Sequence, residues 1–170
     1  MKKPVRRMAG AAAMVLVGFL IAGCANLDGG SAGEEPISAT GDYGLIAPEE
    51  AAIVLSESAA DPGFVLLDIR TEEEIEAEHI PGARSLDFYS STFEDDIEQL
   101  DRERTYLIYC RTGNRTGQAY RMMRNMGFEK VYDLDGGITE WTRLGYAVCR
   151  GALGAEHTCT GPAPSATGAG

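Results

Sequence analysis

Apolar positions along this chain fall into two kinds of run, and the alternation between them predicts the fold. Phe64-Val-Leu-Leu67 and Thr105-Tyr-Leu-Ile-Tyr109 are short unbroken runs of the kind that parallel strands show when both faces are buried. Leu45-Ile46, Ala83-Arg-Ser-Leu86 and Phe128-Glu-Lys-Val-Tyr-Asp-Leu134 predict further strands. Between them the spacing turns helical. Ala119, Met122, Met123 and Met126 recur at i, i+3, i+4 and i+7, one helix face, and Gly127 is placed to end that helix. Pro48 suits a first helical position, Glu49 and Glu50 complement the positive helix end, and Ala51, Ala52, Val54 and Leu55 form the apolar face. Thr71-Glu-Glu-Glu74 is a capping box opening a short helix. Phe88, Tyr89, Phe93, Ile97 and Leu100, set among acids, predict a loop and an amphipathic helix. Gly136 and Gly137 permit a tight strand-to-helix turn before Trp141. Strands alternating with helices predict an α/β fold, a mostly parallel sheet flanked by helices on both faces.

The ends of the chain break this pattern. Lys2, Lys3, Arg6 and Arg7 precede an apolar run from Met8 to Ile21, and small residues lead to Cys24. That order is the layout of an export signal. A run of 14 residues is short beside the roughly 20 needed to span a bilayer. Residues 1–23 therefore read as a signal peptide. Ile21-Ala-Gly-Cys24 resembles a bacterial lipobox, which implies cleavage before Cys24 and acylation of its thiol. A plain secretory signal, a retained anchor or a twin-arginine signal are the other readings. Two or three acyl chains would hold the protein stably on a membrane, where one alone is marginal. The expected location is the cell envelope, with the domain outside the cytoplasm. Residues 24–43 read as the lipidated cysteine and a flexible Gly-, Ser- and Ala-rich tether, 44–147 as the domain, and 148–170 as a tail.

Composition narrows the partners. At 170 residues and 44% hydrophobic content there is room for one cored domain with appendages. The formal net charge of −11 argues against a nucleic-acid partner, because an acidic surface repels phosphate. Losing residues 1–23 would remove four basic residues and no acidic one, leaving 11 against 26. An anionic substrate must then be drawn by a local positive site.

Candidate chemistry centres on Cys110, where the Thr105–Tyr109 strand meets a Gly-containing turn feeding the next helix. Unsatisfied amides at a helix start favour an anion, and Arg111 and Arg115 add two cations within six residues. A thiolate there should have a depressed pKa and be a good nucleophile. Glu94-Asp95-Asp96 reads as a solvated face, not a metal site. Arg84 is read equally as facing an anion or facing solvent.

Tyr109-Cys-Arg-Thr-Gly-Asn-Arg-Thr116 resembles the active-site loop of single-domain rhodaneses, the thiosulfate-type sulfurtransferases. Asp68-Ile-Arg70, His79-Ile-Pro-Gly-Ala83 and Leu134-Asp-Gly-Gly-Ile-Thr-Glu-Trp141 resemble three further signatures, so the likeness spans roughly residues 45–147. It implies that Cys110 is the nucleophile and that Arg111, Thr112, Gly113, Asn114 and Arg115 form the loop. The amides of residues 111–115 would hold a persulfide, and the two arginines would steer an anionic donor. The implied reaction is ping-pong transfer of a sulfane sulfur from thiosulfate or a similar anionic donor to a thiol acceptor, with no metal or organic cofactor required. Asp68, Arg70 and His79 are read as supporting residues, with a catalytic Asp68–Arg70 pair or a general-base His79 as rivals. Trp141 is read as core. A loop of six residues fits sulfur better than the longer loop of rhodanese-fold phosphatases. The alternative is a non-catalytic module that carries persulfide sulfur or binds a partner protein of the envelope.

Cys149 and Cys159 lie ten apart. They are expected to pair locally or to include a residue that resolves a persulfide on Cys110. With His157 they lack a fourth zinc ligand and the usual spacing.

Overall fold

A computed structural model describes residues 44–154 and 158–162. The expected signal peptide over residues 1–23, Cys24, the expected tether, His157 and the end of the tail lie outside the described residues. Five parallel strands form the main sheet: β1 (Gly44–Ile46), β2 (Phe64–Asp68), β3 (Arg84–Ser85), β4 (Thr105–Tyr109) and β5 (Val131–Leu134), in the order β1-β5-β4-β2-β3. The connections carry α1 (Pro48–Ser58), α2 (Glu72–Ala77), α3 (Phe93–Glu98) and α4 (Asn114–Asn125), and α5 (Gly137–Arg143) follows β5.

The unbroken apolar character of β2 and β4 has a direct cause. Val65, Leu67, Tyr106 and Ile108 enter one core with Phe93 and Ile97 of α3 and Ala119 and Met123 of α4. Leu66, Leu107 and Tyr109 enter a second core with Ala51 and Ala52 of α1 and Ile138 and Trp141 of α5. Each central strand is therefore apolar on both faces, and its carboxyl end delivers the next residue to the rim of a rigid sheet. Cys110 is the residue after β4, and Asp68 closes β2 beside Tyr109 in register.

α2 carries its capping box as the sequence predicts, with Thr71 accepting from the Glu74 amide and Glu74 reaching back to Thr71 N–H. Trp141 is fully buried, and its indole N–H donates to Ala147 O at 2.9 Å. The strand expected from Phe128 begins only at Val131. Phe128 instead turns inward and packs edge-on against Tyr106, with centroids 5.6 Å apart.

The carboxyl boundary at 147 needs correction. β6 (Val148–Arg150) pairs antiparallel with β7 (Thr158–Thr160), and a Cys149–Cys159 disulfide joins them. Val148 and Cys149 are buried, and β6 is bonded to the domain body. His79 N–H donates to Cys149 O and Cys149 N–H to His79 O, both at 2.8 Å, while Gly151 N–H donates to Glu76 O at 2.9 Å. The Gly- and Thr-rich composition hid this hairpin because its order comes from backbone bonds to a distant segment, not from its own periodicity.

Candidate active site

The loop from Cys110 to Arg115 is built by what happens to its backbone. α5 takes two of its carbonyls: Ile138 N–H donates to Cys110 O at 3.0 Å, and the Thr139 N–H and hydroxyl donate to Arg111 O at 3.1 and 2.8 Å. Gly137, at φ +56°, makes this approach possible, since a Cβ there would lie 2.5 Å from Cys110 O. Gly113, at φ +96°, then turns the chain into α4. With the carbonyls anchored, amides converge on the sulfur. Gly113 N–H donates to Cys110 Sγ at 3.2 Å, and Thr116 Oγ1 lies 3.8 Å from Sγ while donating to Gly113 O at 2.9 Å.

Cys110 is only 1% exposed, and it is the free cysteine among the described residues. Burial pushes its thiol pKa up. The amides of Thr116, Thr112, Gly113 and Arg115 outweigh that and hold it below the ordinary cysteine value. The sequence assigned much of this effect to the two guanidiniums and to the amides of residues 111–115. In the fold the amide set is displaced toward the helix and includes Thr116.

Arg115 is the clearest departure from the expected site. Its guanidinium grips Glu74 of α2 in a two-pronged pair, 2.7 Å to Oε2 and 2.8 Å to Oε1, and lies over the Tyr89 ring at 5.5 Å. The pair holds Glu74 down to about 2 and raises Arg115. Arg115 is thus spoken for by a carboxylate 41 residues earlier. Arg111, Thr112 and Asn114 are at least partly exposed, which leaves Arg111 as the outward guanidinium of the loop. Glu74, Tyr89, Gly137 and Thr139 are site neighbours that the sequence pattern did not mark as such. The capping box hinted only at a helix start, and nothing local announced its reach to Arg115.

Asp68 and Arg70 form a buried ion pair, with Arg70 Nε donating to Asp68 Oδ1 at 2.8 Å. Arg70 also donates to Glu78 O at 2.7 Å and Glu74 O at 3.3 Å, and its guanidinium lies over Tyr109 at 5.6 Å. The pair therefore ties the end of α2 to the sheet, and α2 in turn presents Glu74 to Arg115. His79 is buried beneath the same helix, its Nδ1 3.0 Å from Ile75 O. Arg84 is exposed on β3 and lines a cleft with Gln99, Leu100, Asp101 and Arg104, none of them a loop residue. No group of acidic, histidine and cysteine side chains suited to a metal occurs among the described residues.

The chain is similar to known proteins. The model of the Rhodanese-like domain matches residues 51–144. The thiosulfate sulfurtransferase GlpE of Pseudomonas syringae pv. syringae (strain B728a) is 31% identical over 100 residues, 59% of this chain and 88% of that protein. A sulfurtransferase of Allochromatium vinosum is 37% identical over 95 residues, 55% of this chain and 87% of that protein. Among solved structures, a rhodanese-related protein from Thermoplasma volcanium aligns with TM-score 0.52 and 25% identity, over 62% of this chain and 97% of that one. With more than half of its length matched, the chain belongs to the rhodanese-like domain family, and its relatives there include sulfurtransferases.

Proposed function

We propose that the protein transfers a sulfane sulfur from thiosulfate or a similar anionic donor to a thiol acceptor through a persulfide on Cys110. The observation that carries this reading is the convergence of backbone amides on Cys110 Sγ, with Gly113 N–H at 3.2 Å, at the carboxyl end of a central strand. The thiolate attacks the outer sulfur of the donor, the S–S bond of thiosulfate breaks, and sulfite leaves with the bonding pair. The persulfide so formed is an anion one atom longer than the thiolate, and the same amides are the donors that stabilise it. A thiol acceptor then takes the outer sulfur and returns Cys110 to its starting form. Arg111 attracts the donor at the mouth, because Arg115 is engaged by Glu74.

The carrier reading differs in the source of sulfur, a partner protein in place of free thiosulfate. The near-complete burial of Cys110 is the observation in its favour, since a partner able to press on the loop reaches such a sulfur as well as a small anion does. Slow thiosulfate turnover with rapid uptake of persulfide sulfur from a protein donor would select it.

We also infer attachment to a membrane of the cell envelope through lipid on Cys24. The support is the residue order before Cys24 and the Cys149–Cys159 disulfide, which suits an oxidising compartment. Thiosulfate-dependent thiocyanate formation, compared between the full chain and Cys110→Ser, tests the proposed reaction.

A further inference from the structure

The loop that holds Cys110 carries two guanidiniums, and the fold treats them differently. Arg111 is exposed and makes no ion pair among the described residues. Arg115 is held on two sides. Glu74 of α2 takes it in the two-pronged pair, with side chains 13% exposed for Arg115 and 28% for Glu74. The Tyr89 ring covers it from the connection between β3 and α3. Tyr89 is itself fixed: its N–H donates to Asp87 Oδ1 at 2.9 Å, and its ring sits edge-on to Phe88, which packs on Phe93 of the core. A planar fork matched to a carboxylate and laid on an aromatic ring is a committed guanidinium.

The pair stands beside the nucleophile. Gly113 N–H donates to Cys110 Sγ at 3.2 Å, Thr116 Oγ1 lies 3.8 Å from it, and Arg115 is the residue before Thr116. Salt screening sets in over about 10 Å, longer than an arginine side chain, so a charge on Arg115 or Glu74 is felt at the sulfur. Paired, the two charges cancel there. α2 also brings Glu72 and Glu73, both exposed, in the turn that carries Glu74. An incoming anion therefore meets one uncompensated loop guanidinium, Arg111, beside an acidic helix turn. Coulomb energy grows in proportion to the charge of the ligand, so acids on this helix repel a doubly charged donor twice as strongly as a singly charged one.

We propose that Glu74, acting through Arg115, sets the charge at the mouth of the loop so that it selects singly charged organic sulfane-sulfur donors, a thiosulfonate or an organic persulfide, over the thiosulfate dianion. Glu74 is a positioning residue in this role, and the donor class rests on the sulfurtransferase reading. With a thiosulfonate, the Cys110 thiolate attacks the outer sulfur, the bond between the two sulfurs breaks, and a sulfinate leaves with the bonding pair. With an organic persulfide, a thiolate leaves in the same way. Either step brings one negative charge in and sends one out, and both end at the same Cys110 persulfide.

Two pairs of probes differ by one charge and share their chemistry. Iodoacetate and iodoacetamide both alkylate the Cys110 thiolate, so their rate ratio, read on the Cys110 peptide by mass spectrometry in the full chain, reports the charge at the mouth whatever the acidity of the thiol. Thiosulfate and methanethiosulfonate both donate a sulfane sulfur, and the ratio of their kcat/KM values in thiocyanate formation reports the same quantity. Glu74→Gln keeps a residue suited to the capping box and leaves Arg115 uncompensated. It should raise both ratios, iodoacetate to iodoacetamide and thiosulfate to methanethiosulfonate, about threefold, because the more charged probe feels the added charge once more. Arg115→Gln should lower both by a similar factor, and the two substitutions together should restore them. A pair with only a structural role would show no such reversal. Ratios that stay fixed in Glu74→Gln and Arg115→Gln, or that move the same way in both, overturn the proposal. Should Glu74→Gln fold poorly, Arg115→Gln and the double variant decide. Shifted alkylation ratios without turnover of either donor would sink the sulfurtransferase reading and leave the charge-setting role of Glu74 standing. Turnover of both donors at unmoved ratios would do the reverse.

Discussion

Cys110 gains its acidity from geometry more than from neighbouring charge. Burial opposes its ionisation, and four amides overcome burial, so the loop backbone is the reagent and the arginines surround it. Glu74 shows what the second arginine does instead. Its carboxylate titrates at about 2 in the fold against an ordinary 4.5, held there by the hydrogen bond from Arg115. A depressed acid contributes stability that is complete above its unfolded pKa and fades as pH falls toward its folded one. Glu74→Gln should therefore flatten the acid limb of the stability curve between about pH 4.5 and about pH 2, read by denaturant midpoints across that window. An unchanged acid limb would mean that the pair contributes nothing to folding. The Arg115 partnership was invisible in the sequence because the two residues lie 41 apart and belong to different elements. Cys110 and its turn were legible because strand, glycine and helix start are contiguous.

At the scale of elements, the site depends on α5 as much as on β4. The first turn of α5 fixes the carbonyls of Cys110 and Arg111, and Gly137 allows the close approach. Gly137→Ala would set a methyl 2.5 Å from Cys110 O at a backbone angle unsuited to L residues. A loss of about 2 kcal/mol or more in stability and slower alkylation of Cys110 are the expected outcomes, measured by chemical unfolding and by mass spectrometry. Wild-type stability in this variant would show that α5 does not constrain the loop. The β6–β7 hairpin braces α2, through backbone bonds to Glu76 within that helix and to His79 just after it. Reducing the Cys149–Cys159 bond should remove about 2–3 kcal/mol, visible as a lower melting temperature in the presence of reductant. No shift on reduction would mean that the hairpin is held by its other bonds alone. Local patterns gave the helices: the Thr71–Glu74 capping box and the buried Ala119–Met123 face are both where periodicity put them. The hairpin escaped because Val148 and Cys149 owe their burial to a partner strand and to His79, which leave no periodic trace.

For the whole molecule, a net charge of −11 sets the background against which the proposed anionic donor would approach. An exposed Arg111 acts locally, within about 10 Å at ordinary ionic strength, while the surrounding acids repel at longer range. Membrane attachment would add a second constraint, holding the domain near a surface. Labelled palmitate supplied to bacteria expressing the full chain should appear in the protein and be absent from Cys24→Ser, which should move to the soluble fraction. Label retained after that substitution would contradict attachment through Cys24. The parallel sheet covered on both faces was legible because unbroken runs such as Phe64–Leu67 and Thr105–Tyr109 alternate with helical patterns, and burial on both faces favours apolar side chains along a strand.

That Cys110 carries sulfur is the central claim, and one assay tests it most directly. The full chain under mild reductant is given thiosulfate and cyanide, and thiocyanate is measured beside Cys110→Ser. Sustained thiocyanate formation that the substitution abolishes is the expected result. A folded chain with a reduced, alkylatable Cys110 and no thiocyanate, or equal turnover by Cys110→Ser, would contradict the claim.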